Sequence, residues 1–487
     1  MRSHRNKFFA AGAIMVALFC GQAPGPSPSA FYLATTGSDS NDGSLGAPFR
    51  TPSQCQTAMR NSVSSKICYV RGGTYSIGAT LNFSAADNGE TWSYYAADGY
   101  NSAIFDGGST GSGIGTGTIL SITNTANFTW NGIAIQHFQT YGILGSTLSN
   151  FTVSNSNIGF QTTCSSSDCT GATGNPWQSG TIAIFDSVIN ITLSHNYLHN
   201  TTAMGMILNP WVSPNPLTGV VDSNVILNAC QQVSDCGALY VSMHGGYQGS
   251  DGGLKLTNNI VRDYGTASTG DTAGIYMDDT LNHAWVKGNI VGPPGDVPSS
   301  GKAWAFAIEN NSGAANKVSG NIIDLGSSAR VFTEIWFSMH EPVNMGLLNE
   351  TFTGNVVLSK FAGGLLTNMS GSFVGFAFAQ SSDPLGDSFT IQNNDYWNYG
   401  GSVFSNGTVQ SDIAPQHVDP QISGYLYTIA PGSPILGTPV NFPPIAGSWG
   451  PPGFTVPTST NCSECLRVAT NDNRRRRRRR ARRQVAA

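Results

Sequence analysis

The feature that most constrains this chain is a short cassette, asparagine followed by an apolar residue, that recurs through its middle. It appears as Asn131-Gly-Ile, Asn157-Ile-Gly, Asn196-Tyr-Leu, Asn224-Val-Ile, Asn259-Ile-Val, Asn289-Ile-Val, Asn321-Ile-Ile, Asn355-Val-Val and Asn394-Asp-Tyr, at spacings of 26 to 39 residues. Such irregular periods exclude a helical solenoid of fixed-length units. Each period holds two or three alternating runs of four to six residues, separated by Gly, Asn, Ser or Asp. Those are the marks of short strands and turns. The coils of a parallel β-helix meet these conditions, because each strand pairs with its counterparts above and below and turn insertions are tolerated. Identical turn residues then stack, so an asparagine at every turn can build a ladder of side-chain amides. The expected fold is all-β, a right-handed parallel β-helix, its hand following from the chirality of parallel strand connections.

Charge narrows the function. The 487 residues carry a formal charge of −4, but nine arginines crowd into residues 474–483 and Arg2, Arg5 and Lys7 precede an apolar run. Residues 31–470 hold only 12 basic against 27 acidic side chains, a net of about −15, and no Lys or Arg occurs between Arg71 and Lys255. A body so charged is a poor partner for nucleic acid or an anionic membrane, whose phosphates need clustered cations. Charged residues make up 11% of the chain, against roughly 25% in ordinary globular proteins, while hydrophobic residues reach 40%. A large core is therefore affordable without helices.

Residues 1–30 read as a secretory signal, with a basic start, an apolar segment of about twelve residues at 8–19 and a Gly/Pro/Ser stretch. The apolar segment is too short for a membrane helix, which needs roughly 20 residues. The expected protein is secreted, extracellular or periplasmic, and monomeric, with the β-helix at residues 31–437, a closing segment at 438–470 and a disordered arginine-rich tail at 471–487. The tail is either merely solvated or a contact for anionic surfaces. Beyond Cys20, eight cysteines form four pairs close in sequence, which suits disulfides in an exported chain. The simplest pairing is Cys55 with Cys68, Cys164 with Cys169, Cys230 with Cys236 and Cys462 with Cys465.

The opening Phe31-Tyr-Leu-Ala-Thr-Thr-Gly-Ser-Asp-Ser-Asn-Asp-Gly resembles that of exported right-handed β-helix proteins of the pectate-lyase-like superfamily. Arg71-Gly-Gly-Thr-Tyr, Asp87-Asn-Gly-Glu-Thr-Trp and Asp106-Gly-Gly continue the resemblance, and Asp419-Pro-Gln and Gly432-Ser-Pro-Ile-Leu close it. Asp235-Cys-Gly-Ala-Leu-Tyr followed by Gly274-Ile-Tyr-Met-Asp-Asp is most similar to the β-helical glycoside hydrolases of that superfamily. The resemblance implies a polysaccharide substrate and catalytic roles for Asp235 and Asp278.

The residues themselves add detail. With Leu239 and Val241, Ile275 and Met277, and Phe306 and Ile308 read as inward positions, Asp235 falls over Asp271 and Asp278 beside Glu309 on the outer face. Neighbouring strands lie about 4.8 Å apart. Retaining glycosidases hold two carboxyl groups at about 5–5.5 Å and inverting ones at about 6.5–9.5 Å. Stacked carboxylates also repel, which favours a protonated general acid. Tyr240 and Tyr276 would offer an aromatic surface for sugar, and His244 a substrate contact just past the strand. Asp279 would point inward. This chemistry needs no cofactor.

Two rivals use the same residues. A uronate lyase or epimerase would draw on Lys or Arg, which residues 72–254 lack, or on Ca²⁺ held by Asp235, Asp271, Asp278 and Glu309. Neither the Gly-His-Gly nor the Arg-Ile-Lys motif of polygalacturonases is present. A surface or adhesive β-helix would leave the acids merely solvated, since Asp at turns often only accepts backbone hydrogen bonds.

Overall fold

The computed structural model describes residues 29–108, 117–161, 179–210, 217–243, 252–265, 272–278, 281–295, 304–311, 315–324, 332–338, 350–358, 376–378, 390–397, 412–423, 427–438, 440 and 448–457. The chain winds as a right-handed parallel β-helix with three strand positions per coil. The first position runs through Tyr141–Ser149, Met204–Asn209, Cys236–Ser242, Thr272–Asp278 and Trp304–Asn311. The second runs through Leu217–Asp222, Leu254–Thr257, Trp285–Lys287 and Lys317–Ser319. The 15-residue strand Gly180–Ser194 spans both and joins them into one sheet. The third position forms a separate sheet, from Gly73–Ser76 to Asp395–Trp397.

Inward residues stack in register. Leu198, Ile226, Val261, Val291 and Ile323 make one buried column, and Leu193, Val221, Leu256, Val286, Val318 and Phe352 another. β-branched and aliphatic side chains suit such columns because every strand is buried on its inner face by the same neighbours.

The turn between the second and third positions carries the asparagine ladder. Asn196, Asn224, Asn259, Asn289, Asn321, Asn355 and Asn394 are fully buried. Each Nδ2 donates to the Oδ1 of the next, at 2.9–3.0 Å, and Asn394 ends the row on Asp412 at 2.7 Å. Each also donates to a carbonyl in the coil below, as Asn289 does to Leu256 at 2.9 Å. The residue before each ladder position is left-handed, with φ between 54° and 69°, and is Asn, His, Ser or Gly. All but the serine, Ser223, are the types that carry the least penalty there. Asn131 and Asn157 are out of phase: Ser156 takes the ladder place in their stretch, its N–H bonded to Asn196 Oδ1 at 3.0 Å, and Asn157 follows it. Two of the nine sequence cassettes are therefore chance matches beside the real turn.

The apolar residue after each ladder asparagine up to Asn355 faces outward, away from the core. Tyr197, Val225, Ile260, Ile290, Ile322 and Val356 stack as a buried outer row. The C-terminal chain covers them with Tyr427, Ile435, Val440 and Val456, while Trp449 Nε1 donates to the Asn258 carbonyl at 2.8 Å and Gly450 N–H to Ser223 O at 3.0 Å. Tyr427 donates to Asp324, and its ring lies 5.3 Å from the Arg262 guanidinium carbon. Of the expected disulfides, Cys55–Cys68 and Cys230–Cys236 are formed; Cys164, Cys169, Cys462 and Cys465 lie outside the described residues.

The helix Pro52–Asn61 caps the first coils, N-capped by Thr51. Its Arg60 grips Asp87 with two bonds of 2.7 Å. Against the desolvation of its site, that guanidinium and the Ser84 N–H hold the Asp87 carboxyl below the usual range. Glu90 beside it is fully buried and accepts from Trp92 Nε1 at 3.0 Å. Burial pushes its carboxyl up to about 8, with the Asp87 charge adding to the rise. Glu90 Oε1 meets no hydrogen-bond partner, as fits a carboxyl that burial keeps protonated.

A carboxyl raised on folding stabilises fully below its unfolded pKa and loses that contribution as pH climbs to the folded value. The Glu90 contribution is thus complete near pH 4.5 and is lost as pH rises to about 8, at roughly 1.4 kcal/mol per pKa unit. His199 acts in the opposite sense: burial drives it down to about 3, so its contribution is complete above the ordinary histidine range and falls with acid. Comparing Glu90→Gln with the parent cancels the His199 term. The parent should lose a few kcal/mol relative to the variant between about pH 5 and about pH 9; a difference that stays constant in urea titrations across that range would show that Glu90 is buried charged.

Candidate active site

The outer face of the first strand position carries the predicted site where Cys236–Ser242, Thr272–Asp278 and Trp304–Asn311 lie side by side. Strict alternation fails here. Ala238 and Leu239 both belong to the main core, while Ala273 packs outside against Tyr240 and Tyr276. Gly205 holds the same place one coil earlier, where a Cβ would fall 2.5 Å from Ile226 Cγ2. The strands Met204–Asn209 and Cys236–Ser242 bend so that a small inward residue precedes the large one, Gly205 before Met206 and Ala238 before Leu239.

That bend changes the alignment of the coils. Reading by twos matched Phe306 with Ile275 and Ile308 with Met277, but Ile308 pairs with Ile275 and Phe306 with Ala273. Glu309 accordingly pairs with Tyr276, two residues short of Asp278, which itself pairs with Ser242. One strand across and two residues along, the Asp278 and Glu309 Cα atoms are about 8 Å apart. A two-residue slip preserves the polarity pattern, so periodicity had no means of detecting it.

Asp235 sits just ahead of the strand that pairs Cys236 with Thr272. It is exposed, with φ 55°, on the turn closed by the Cys230–Cys236 disulfide. Asp235 therefore precedes the paired stretch and Asp278 ends it. Crossed tyrosines connect them. Tyr240 Oη donates to Asp278 Oδ2 at 2.9 Å, and Tyr276 Oη lies 3.5 Å from Asp235 Oδ1. The two rings meet edge to face, 5.2 Å between centroids and 86° between planes. Tyr276 is only 6% exposed, so its ring is occupied by Tyr240 and not spread as the open stacking surface expected from sequence. Asp278 and Tyr240 remain half-buried.

Gly237 makes the tyrosine pair possible. A Cβ there would stand 2.6 Å from Tyr276 Cβ and 3.1 Å from Tyr240 Cβ. Gly237→Ala should cost about 1–3 kcal/mol of stability by overpacking and loosen both phenol contacts. Unfolding in urea reads the first effect; an unchanged midpoint would mean the tyrosines move apart freely.

Asp271, His244 and Asp279 lie outside the described residues. Among the described residues no three His, Cys, Asp or Glu side chains converge as a metal site, and no helix is long and apolar enough to cross a membrane. The next coil brings two residues that sequence reading overlooked: Glu334 pairs with Phe306 and Trp336 with Glu309. The register shift between Phe306 and Ile308 hides Glu334 from any count by twos.

No family model matches the sequence, and neither does any curated protein. Among solved structures the chain is similar to a variant of the PL6 family alginate lyase AlyGC, at 9% identity and a TM-score of 0.39, covering 84% of this chain and 58% of that one. The chain thus spans little more than half of that enzyme. It is also similar to the catalytic domain of a GH87 α-1,3-glucanase bound to tetrasaccharides, at 14% identity and a TM-score of 0.34 over 74% of this chain and 70% of that one. A rhamnogalacturonan lyase matches at 15% identity and a TM-score of 0.32, over 73% and 88%. The chain's own strand register, coil upon coil, establishes that it is a parallel β-helix.

Proposed function

We propose that this protein is an exported carbohydrate-active enzyme that hydrolyses glycosidic bonds of a polysaccharide on the outer face of its first sheet. The observation that carries the reading is Asp278, a half-buried carboxylate oriented by the Tyr240 hydroxyl at 2.9 Å, with a second acid, Glu309, at the diagonal position of the next coil. A diagonal pair suits the wider carboxyl spacing of inverting enzymes, about 6.5–9.5 Å, which leaves room for a water. Asp278 takes the part of base toward that water, and Glu309 protonates the departing sugar oxygen. Asp235, at the far end of the tyrosine pair, holds the polysaccharide chain, a role in which Asp271 and His244 are expected to share.

Lyase chemistry has less support on this face. Residues 235–243 and 272–278 contain no Lys or Arg to abstract a proton or neutralise a uronate. A panel of polysaccharides, assayed both for new reducing ends and for the ultraviolet absorbance of unsaturated ends, tests the reading. Hydrolysis gives the first signal without the second; ultraviolet absorbance on any cleaved substrate would make the protein a lyase, and binding without cleavage a surface protein.

A further inference from the structure

The outer face of the second strand position carries a different chemistry. Lys255, Trp285 and Lys317 are in register on three consecutive coils. Lys255 Nζ lies 5.5 Å and Lys317 Nζ 5.6 Å from the Trp285 ring. Lys287, exposed, follows two residues after Trp285 on the same strand. Gly252 backs the indole: with φ 73° it approaches so closely that a Cβ would be 2.9 Å from the ring.

The indole thus holds two ammonium groups from neighbouring coils, an attraction of cation to ring that also limits their motion. Lysines on alternate coils stand about 10 Å apart, and Lys287 lies about 7 Å further along the strand. Three of the 12 cations of residues 31–470 meet here, in a body whose net charge is near −15. None of the ion pairs among the described residues uses Lys255 or Lys287. Asp222, an acid on this strip, is two coils from Lys287, and its carboxylate accepts from Thr257, Asn258 and Ser223 at 2.5, 2.9 and 2.8 Å.

We infer that Lys255, Lys287 and Lys317, spaced by Trp285, form a binding surface for a carboxylated polysaccharide, separate from the face that carries Asp278. A linear polyuronate presents separated single charges that a sparse lysine triangle can meet. Nucleic acid, with its denser charge, needs more cations than the strip offers and is repelled by the acidic body. The surface lets the protein hold to an anionic glycan while the first sheet works on its substrate, and it does not depend on the hydrolase reading.

The test is affinity electrophoresis of the full-length chain through polygalacturonate, its methyl ester or single-stranded DNA. The nine arginines of residues 474–483 are replaced by glutamine in every sample, so that the tail contributes nothing. Polygalacturonate should retard this protein and the ester should not. Replacing Lys255, Lys287 and Lys317 together by Gln should weaken retention at least tenfold, with the unfolding midpoint unchanged, and replacing them by Arg should restore it. Asp278→Asn on the same background should bind as the parent does. Retention that survives the triple Gln change, vanishes with Asp278→Asn, or is equal on the ester or on DNA would overturn the inference.

Discussion

Asp278→Asn is expected to lower turnover about 10²- to 10⁴-fold, the usual contribution of a positioned acid or base, while leaving the fold in place. The asparagine keeps an oxygen for the Tyr240 hydroxyl, now at 2.9 Å from Oδ2, and at a half-buried position water can reach its amide. What disappears is the capacity to take a proton. Glu309→Gln should give a loss of similar size if the diagonal pair works together. Asp235→Asn, near the far end of the tyrosine pair, should raise KM more than it lowers kcat, because a group that only holds substrate contributes to binding in ground and transition state alike. Steady-state kinetics on the substrate found by the panel separates these patterns. Full activity of Asp278→Asn on every substrate that the parent cleaves would remove this face from the chemistry.

The largest effect on stability is expected in the ladder. Asn289→Ala removes the acceptor of Asn259 N–H and of Asn259 Nδ2, and the donor to Leu256 O and Asn321 Oδ1. All of these groups are buried, and each orphaned group costs about 1–3 kcal/mol. Asn321 Oδ1 keeps the backbone N–H of residue 289, so the net loss is about 4 kcal/mol, a large fraction of a typical folding free energy. Asn150→Gly is the control, glycine because Asn150 is left-handed, with φ 48°, where alanine would add backbone strain of its own. Asn150 also stands in a side-chain row, donating to Asn127 at 2.8 Å and accepting from Asn190 at 2.7 Å, but this row is exposed. Water replaces the lost partners there, and the change should cost under about 0.5 kcal/mol. Equal losses at the two sites in urea unfolding would mean that the ladder's burial contributes nothing.

Much of the fold was legible in the sequence because a β-helix repeats one local solution. Asn224, Asn259, Asn289, Asn321 and Asn355 stand in one environment, so the same chemical demand, a buried turn amide with both donor and acceptor satisfied, selects the same residue coil after coil. The disulfides Cys55–Cys68 and Cys230–Cys236 were legible for a similar reason, since both partners are near in sequence. The ladder's phase was less visible at its start, where Ser156 supplies only a backbone N–H and Asn157 imitates the motif one residue later.

The site was legible in residue type but not in arrangement. Tyr240, Tyr276, Asp235 and Asp278 do share the outer face, as alternation near them implies. Their pairing depends on the bend at Ala238-Leu239, where two successive residues enter the core. A helix coil tolerates that bend only when the first residue is small, and small residues carry no periodic signal. The covered outer row of Tyr197, Val225 and Ile260 was hidden as well, because the chain that buries it comes from residues 427–456, some 200 positions away.

The sequence by itself determined the repeat, the strand-and-turn grammar of each coil, the acidic body and its missing cations, since all of these follow from local composition and short-range periodicity. Only the tertiary structure decided which carboxylates are neighbours, which tyrosine face is occupied and where three lysines and a tryptophan meet. Contacts between coils join residues about 30 to 40 apart, as Tyr240 to Asp278 and Lys255 to Trp285 show. Their register is set by how many residues each turn inserts and where each strand bends, which are properties of packing and not of any one coil's sequence.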